Sequence, residues 1–231
     1  MQNLPTPEVY EKEFKYMPWG VLIDQLLERV KGLPHNAKIL DILCGPGYLL
    51  NRIKNIRPDL ELTGVDLESE FIEFAKKQYP TINFITADAR TWASDEKYDF
   101  IFVTGGVHHI PYEDQEAFIK KVSTLLKLDG QAVIADPYID AYANENERKI
   151  ASAKLGYEYL LASMANGADE DIIKACVSIM ENDVLGVEYK NSIEKFRPTL
   201  EKHFTNIEMH KTWPKGESEY GDYYFVLGSA K

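Results

Sequence analysis

The sequence predicts an α/β chain built on a doubly wound, mostly parallel sheet, and three observations predict it. From residue 37 to about 139 short apolar runs alternate with amphipathic segments; the first run breaks into the glycine turn "CGPG" before a helix-like stretch; and the C-terminus ends in two strand-like runs joined by a turn too short for a crossover helix. Alternation of that kind marks βαβ units, whose right-handed crossovers place helices on both faces of the sheet. Strands joined through a short turn pair antiparallel.

Ahead of the sheet, after the aromatic-rich "YEKEFKYMPWG", Leu22, Leu26, Leu27 and Val30 lie at helical spacing, so residues 1–36 are expected to form an N-terminal helical cap segment. Five strands follow: "KILDIL" (38–43), "ELTGVD" (61–66), "INFITA" (82–87), "YDFIFVT" (98–104) and "QAVIAD" (131–136). The helix after the first carries Leu49, Ile53 and Ile56 on one face. The next carries Phe71, Phe74 and Ala75, with Ser69 as its N-cap. Phe118, Val122, Leu125 and Leu126 mark a helix closed by Asp129-Gly130 before strand five. "FTNIEMHKTW" and "DYYFVLGSAK", separated by "PKGESEYG", complete a seven-stranded sheet of five parallel strands plus a C-terminal antiparallel hairpin.

Between strand five and the hairpin lie more residues than one crossover needs. "SIEKFRPTLEKHF" reads as the ordinary crossover helix. Two earlier stripes, one from Ile150 through Tyr157 and Leu161 to Met164 and one from Ile172 through Cys176 to Met180, mark an inserted helical cap at about 141–190. The domain expected is 37–231 with that insertion, which offers either a lid over a substrate or a homodimer surface.

Composition narrows the chemistry. The formal charge of −11 disfavours nucleic acid as a partner, because backbone binding depends on dense basic neutralisation. No apolar run nears the roughly 20 residues that cross a bilayer. The N-terminus has neither a basic nor an apolar leader region, so a cytoplasmic chain with no membrane partner is expected. Cys44 and Cys176, one in the glycine turn and one in a helical pattern, support neither a disulfide framework nor a cysteine zinc site.

Ligands of open parallel sheets bind beyond the strand carboxyl ends, with the first βα turn the usual contact. Gly45 and Gly47 suit that place, since glycine allows a positive φ and a close backbone approach at a helix N-terminus. Asp66 ends strand two, where a carboxylate accepts the hydroxyls of a ribose. Asp88 follows strand three, where a carboxylate could accept the exocyclic amine of an adenine. A dinucleotide would want G-x-G-x-x-G, yet the third glycine is here Leu50. Asp41, inside strand one, would repel a pyrophosphate but suits a cationic end such as an α-ammonium group. These residues favour an amino-acid-bearing nucleoside over NAD.

His108 and His109 are candidate general bases, because imidazole titrates near neutral pH. In an extended segment only one would face the pocket. Two histidines without a third ligand at useful spacing give no metal site. Tyr10, Tyr16 and Trp19 would either pack in the core or close over a cationic ligand through an aromatic face.

At this point the chain resembles class I S-adenosylmethionine-dependent methyltransferases, especially the broad small-molecule group. "ILDILCGPGYLL" resembles the family's first motif, "LTGVDLESEFIEFAKK" its ribose-binding segment, "NFITADARTW" its adenine segment and "YDFIFVTGGVHHIP" its fourth-strand motif. "LLKLDGQAVIADP" resembles the turn into strand five, and the final hairpin resembles strands six and seven. The similarity covers about residues 37–139 and 192–231.

The resemblance implies a Rossmann-like fold, S-adenosyl-L-methionine as cofactor, and in-line methyl transfer to O, N or C of a small-molecule acceptor. It implies that Asp41, Gly45 and Gly47 surround the methionine moiety, Asp66 the ribose, and Asp88 with Ala89 the adenine. Thr104 and Gly105 would line the inner end of strand four. Cys44, Leu67 and Tyr16 complete the expected cofactor contacts. The family's glycine two residues after the acid of the first motif is here Leu43, which must find room near the methionine end. "ADPYID" follows strand five and lacks the second proline of the Asp-Pro-Pro-Tyr motif of amino-group nucleic-acid methyltransferases, so Asp136 and Tyr138 are expected only as pocket-wall residues. The competing readings are a cofactor-binding protein without turnover and an NAD(P)-dependent oxidoreductase, the latter disfavoured by Leu50 and Asp41.

Overall fold

The strands are β1 (Lys38–Ile42), β2 (Glu61–Asp66), β3 (Asn83–Thr86), β4 (Tyr98–Thr104), β5 (Leu126–Tyr138), β6 (Phe204–Trp213) and β7 (Gly221–Ala230). In the computed structural model, which describes residues 5–186 and 188–230, they form one sheet in the order β3-β2-β1-β4-β5-β7-β6. The first five are parallel, and β7 runs antiparallel between β5 and β6. Strand order reverses between β1 and β4, which puts a switch-point crevice at the tips of β1, β2 and β4.

Alternate residues of each central strand feed opposite layers, because successive side chains of a strand point to opposite faces. Ile39, Phe100 and Phe102 pack with α2 (Trp19–Val30), α3 (Tyr48–Ile56) and α4 (Ser69–Gln78). Leu40, Ile101 and Val103 pack with α5 (Tyr112–Leu125) and α8 (Ile193–His203). The expected doubly wound sheet, crossover helix and terminal hairpin are all present; the last residue of the expected final strand, Lys231, lies outside the described residues.

Several boundaries differ for physical reasons. Leu43 adopts φ 68, so β1 ends one residue early and the chain turns at once into the glycine loop. The expected N-cap Ser69 lies inside α4, and Asp66 Oδ1 instead accepts the Glu68 backbone N–H at 2.9 Å. Asp129-Gly130 is no helix stop: α5 passes directly into β5 at Leu126, and the extra residues are taken up by a register shift against β4 between Tyr98 and Phe100. The segment before α2 is itself a helix, α1 (Pro7–Tyr16), capped by the Thr6 hydroxyl.

The insertion forms α6 (Glu145–Ala165) and α7 (Glu170–Leu185), and α1 packs against both. The α7 stripe turns inward at Ile172 and Cys176, but the α6 stripe turns outward, with Ile150 70% and Tyr157 54% exposed. What α6 buries is a mostly small and polar face, Ala151, Ser152, Gly156 and Ser163 with Leu155 among them, and a Cβ on Gly156 would stand 2.8 Å from Met180 of α7. Backbone proximity decided that face over side-chain apolarity. Among the described residues no helix is long and apolar enough to cross a membrane.

Candidate functional site

The glycine loop leaves the end of β1 and enters α3 through Gly47, which holds φ 84 at the helix N-cap. A Cβ there would stand 2.6 Å from the Phe84 ring, so the position demands glycine on both conformational and steric grounds. Gly45 holds φ 53 and donates its N–H to Asp66 Oδ2 at 2.7 Å. Thus one carboxylate, anchored at the tip of β2, ties down the loop that follows β1. Cys44 is buried beside them, and burial with the nearby Asp41 and Asp66 charges pushes its thiol well above the ordinary range. Leu43 finds its room over Gly106, where any Cβ would lie within 2.7 Å of the leucine side chain.

Asp41 is fully buried, and neither carboxylate oxygen has a hydrogen-bond partner. Burial, with the Asp66 charge adding to it, pushes its carboxyl up to about 8. A buried carboxyl in that condition is the feature least explained by folding alone, because unpartnered polar atoms are costly. Tyr10 of α1 reaches the same place, its ring 3.5 Å from the position of a Gly45 Cβ, and its phenol is raised by burial and then by the Glu13, Asp66 and Asp41 charges. Glu13, buried on the inner face of α1, has an unpartnered Oε1 and is pushed up to about 8 by burial.

These raised carboxyls set a pH dependence. Ordinary values of 3.8 for Asp41 and 4.5 for Glu13 rise to about 8 in the fold. The folded state therefore binds protons that the unfolded chain releases; the stabilisation is complete below about pH 4 and is lost as pH rises toward 8. Urea denaturation of the ligand-free protein should show stability falling on the order of a few kcal/mol between pH 4.5 and 8. Asp41→Asn should flatten that slope, and an equally steep slope in the variant would contradict the assignment.

The remaining expected residues are placed as follows. Asp66 is buried, and burial raises its carboxyl despite the Glu68, Gly45 and Leu67 backbone N–H groups that pull it back. Leu67 is 55% exposed beside it. Asp88 accepts the Arg90 backbone N–H at 2.8 Å and its guanidinium at 2.7 Å, and that pairing holds it below the usual carboxylate range. Ala89 is buried. Gly105, with φ 62, lies under the Trp19 ring next to Thr104 at the end of β4. Tyr16 is not brought to this crevice: it packs with Met17, Ile172 and Cys176 between α1 and α7, while Tyr10 takes the place against the loop. Tyr138 is no pocket wall either, since it is buried in the opposite core layer against Phe196 and Phe225.

A cavity of about 120 Å³ opens beside Tyr10 and Gly105, walled by apolar side chains such as Phe14, Trp19 and Leu155. His108 and His109 both line it, contrary to the expectation that only one could. They sit in a 3-10 turn, Val107–His109, rather than an extended segment, and their rings lie 4.1 Å apart. His108 Nδ1 is 2.8 Å from Asp136 Oδ1, and its backbone N–H donates to Asp136 Oδ2 at 3.1 Å. Burial opposes its protonation, but the Asp136 and Glu188 carboxylates outweigh that and leave it above the ordinary imidazole range. His109 keeps a third of its side chain open to the pocket, yet desolvation and the neighbouring His108 charge hold it below that range.

Glu188 and Lys190 complete the floor of the cavity, with Asp183 from α7. Sequence reasoning missed all three, as well as Glu13. Glu13 was detectable as an acid on the apolar face of α1 and Asp183 as an acid at helical spacing from Ile172 and Cys176 on α7; Glu188 and Lys190 fall after α7, where no periodicity applies.

Comparisons with known proteins bear on the fold that carries this site. A family model described as "Methyltransferase domain" matches residues 39–130. The chain is 28% identical over 200 residues to demethylmenaquinone methyltransferase of Chlorobaculum tepidum, covering 86% of this chain and 74% of that one. It is 30% identical over 114 residues to trans-aconitate 2-methyltransferase of Variovorax paradoxus, covering 49% of this chain and 43% of the relative. The chain thus spans less than half the length of the trans-aconitate relatives it matches. Among solved structures, the plantazolicin methyltransferase BpumL in complex with a triazolic substrate analogue and SAH superposes with TM-score 0.63 at 13% identity, covering 96% of this chain and 90% of that one. A Haemonchus contortus phosphoethanolamine N-methyltransferase superposes with TM-score 0.65 at 13% identity, over 96% of this chain and 57% of that one.

Proposed function

We propose that the chain is a class I S-adenosylmethionine-dependent methyltransferase that binds S-adenosyl-L-methionine at the β1, β2 and β3 tips and methylates a small-molecule acceptor in the adjoining cavity. The single observation that carries this reading is Asp41: a fully buried carboxyl with no partner, beside a loop whose Gly45 and Gly47 leave the backbone open, suits the α-ammonium group of that cofactor. The cofactor supplies the electrophilic methyl group.

The residues then divide the work. Asp66 accepts the ribose hydroxyls while fixing Gly45; Asp88 and Ala89 bound the adenine; Cys44, Gly47, Thr104 and Gly105 complete the walls. α1 and the α6–α7 insertion form a cap over a methyltransferase domain of residues 37–231, and the cap excludes water from the cavity. Alignment of acceptor and methyl is the chain's main contribution, worth up to ~7 to 11 kcal/mol in favourable systems. His108, held by Asp136, and His109 beside it line the cavity and orient the acceptor there. The relatives named for trans-aconitate and demethylmenaquinone support a small acceptor.

Calorimetry tests the proposal. S-adenosylhomocysteine should bind saturably and raise the melting temperature, NAD should do neither, and Asp41→Asn should weaken binding about tenfold or more through loss of one charge-assisted contact. No heat with S-adenosylhomocysteine at millimolar concentration would end the cofactor assignment. Release of S-adenosylhomocysteine with small hydroxy, amino or carboxylate acceptors then distinguishes an enzyme from a binding protein.

A further inference from the structure

We propose that His108, His109 and Glu188 form a binding site for one divalent transition-metal ion, zinc or a first-row neighbour, with open coordination positions facing the cavity. Four observations carry it. The three side chains each offer a ligand atom, and these atoms all lie within 4.8 Å of one another. Glu188 Oε2 stands 3.2 Å from His108 Nε2 and 3.4 Å from His109 Nδ1. Donors bonded to a common ion at roughly 2.0 to 2.2 Å are separated by about that much.

Second, the outer partner is already in place. Asp136 receives His108 Nδ1, which directs Nε2 toward Glu188; a carboxylate behind a histidine is the usual support of a metal-binding imidazole. Third, the surroundings are rich in buried carboxylates. Asp136, Asp183 and Glu188 are all buried here with the Lys190 ammonium among them, a carboxylate-rich setting that suits a bound cation. Lys190 is itself held by Asp183 at 2.5 Å and stands 3.7 Å from Glu188 Oε2. Fourth, all three ligands line the cavity, which leaves room for an exogenous donor. His108 and His109 come from the turn after β4 and Glu188 from the segment after α7, so only the fold brings them together.

The occupant of the open positions is an oxygen or nitrogen donor of the acceptor. This second statement rests on the methyltransferase reading; the metal site itself does not.

Cobalt(II) is the probe, because its visible absorption reports coordination. Tag-free protein treated with chelator and dialysed should give a saturable one-equivalent cobalt spectrum that zinc displaces. His109→Ala and Glu188→Gln should each lower cobalt affinity at least tenfold, whereas His203→Ala, outside the cluster, should leave it unchanged. S-adenosylhomocysteine binding by the same variants shows that the fold is intact and is expected to persist. Should Glu188→Gln fail to fold, His109→Ala alone decides. The absence of a saturable spectrum in the unsubstituted protein overturns the metal site, as does cobalt affinity unchanged in His109→Ala. Cobalt binding without any S-adenosylhomocysteine binding upholds the site and overturns its link to methyl transfer.

Discussion

Asp66→Ala is expected to lower affinity for S-adenosylhomocysteine by 100-fold or more, the largest functional effect of any single change in the crevice. The carboxylate does two things at once. Its Oδ2 accepts the Gly45 N–H at 2.7 Å and its Oδ1 the Glu68 N–H at 2.9 Å, so it fixes the glycine loop and the start of α4 in the ligand-free fold. On the proposed reading it also accepts the ribose hydroxyls. Charge-assisted hydrogen bonds are worth about 1.5 to 3 kcal/mol each, so losing two ribose contacts costs about 3 to 6 kcal/mol, before any disorder of the loop. Asp66→Asn keeps acceptor capacity but not charge and should fall between the two. Calorimetric titration of both variants checks this. An Asp66→Ala protein that folds and binds within threefold of the unsubstituted chain would rule out the ribose role.

Much of this was readable from sequence because the central features are local. The strand runs, the Gly45-Pro46-Gly47 turn and the acid ending β2 each depend on periodicity or on residue conformational preference, and the fold places them where expected. What failed to show was set by tertiary contact. The α6 stripe from Ile150 to Met164 has helical spacing but faces outward, because Gly156 allows the close approach of α7 on the other side. His108 and His109 share a cavity because the chain turns in a 3-10 helix there, which no alternation rule reveals. Asp136 was visible only as a possible wall residue, yet it is the group that orients His108. Glu188 and Lys190 gain meaning only when the segment after α7 returns beside His108 and meets Asp183 of α7, and nothing in their spacing announces a buried charge network.

That network supports the second large effect. Lys190 is 2% exposed, with its ammonium 2.5 Å from Asp183 Oδ1. Burial alone would lower its pKa, but the Asp183 and Glu188 carboxylates outweigh desolvation and keep it above the ordinary lysine range. Lys190→Met preserves most of the side-chain volume and deletes the charge, leaving Asp183 buried without a counterion. Breaking a buried pair in this way costs about 3 to 5 kcal/mol. For a chain of this length that corresponds to roughly 10 °C in melting temperature. Urea denaturation at pH 7 checks the value. The double variant Lys190→Met, Asp183→Asn removes the stranded charge and should recover at least half of the loss, since the penalty lies in the uncompensated carboxylate rather than in the absent ion pair. If the double variant is as unstable as Lys190→Met alone, the cost belongs to packing around the methylene stem, and the charge balance under His108 and Glu188 does not govern stability.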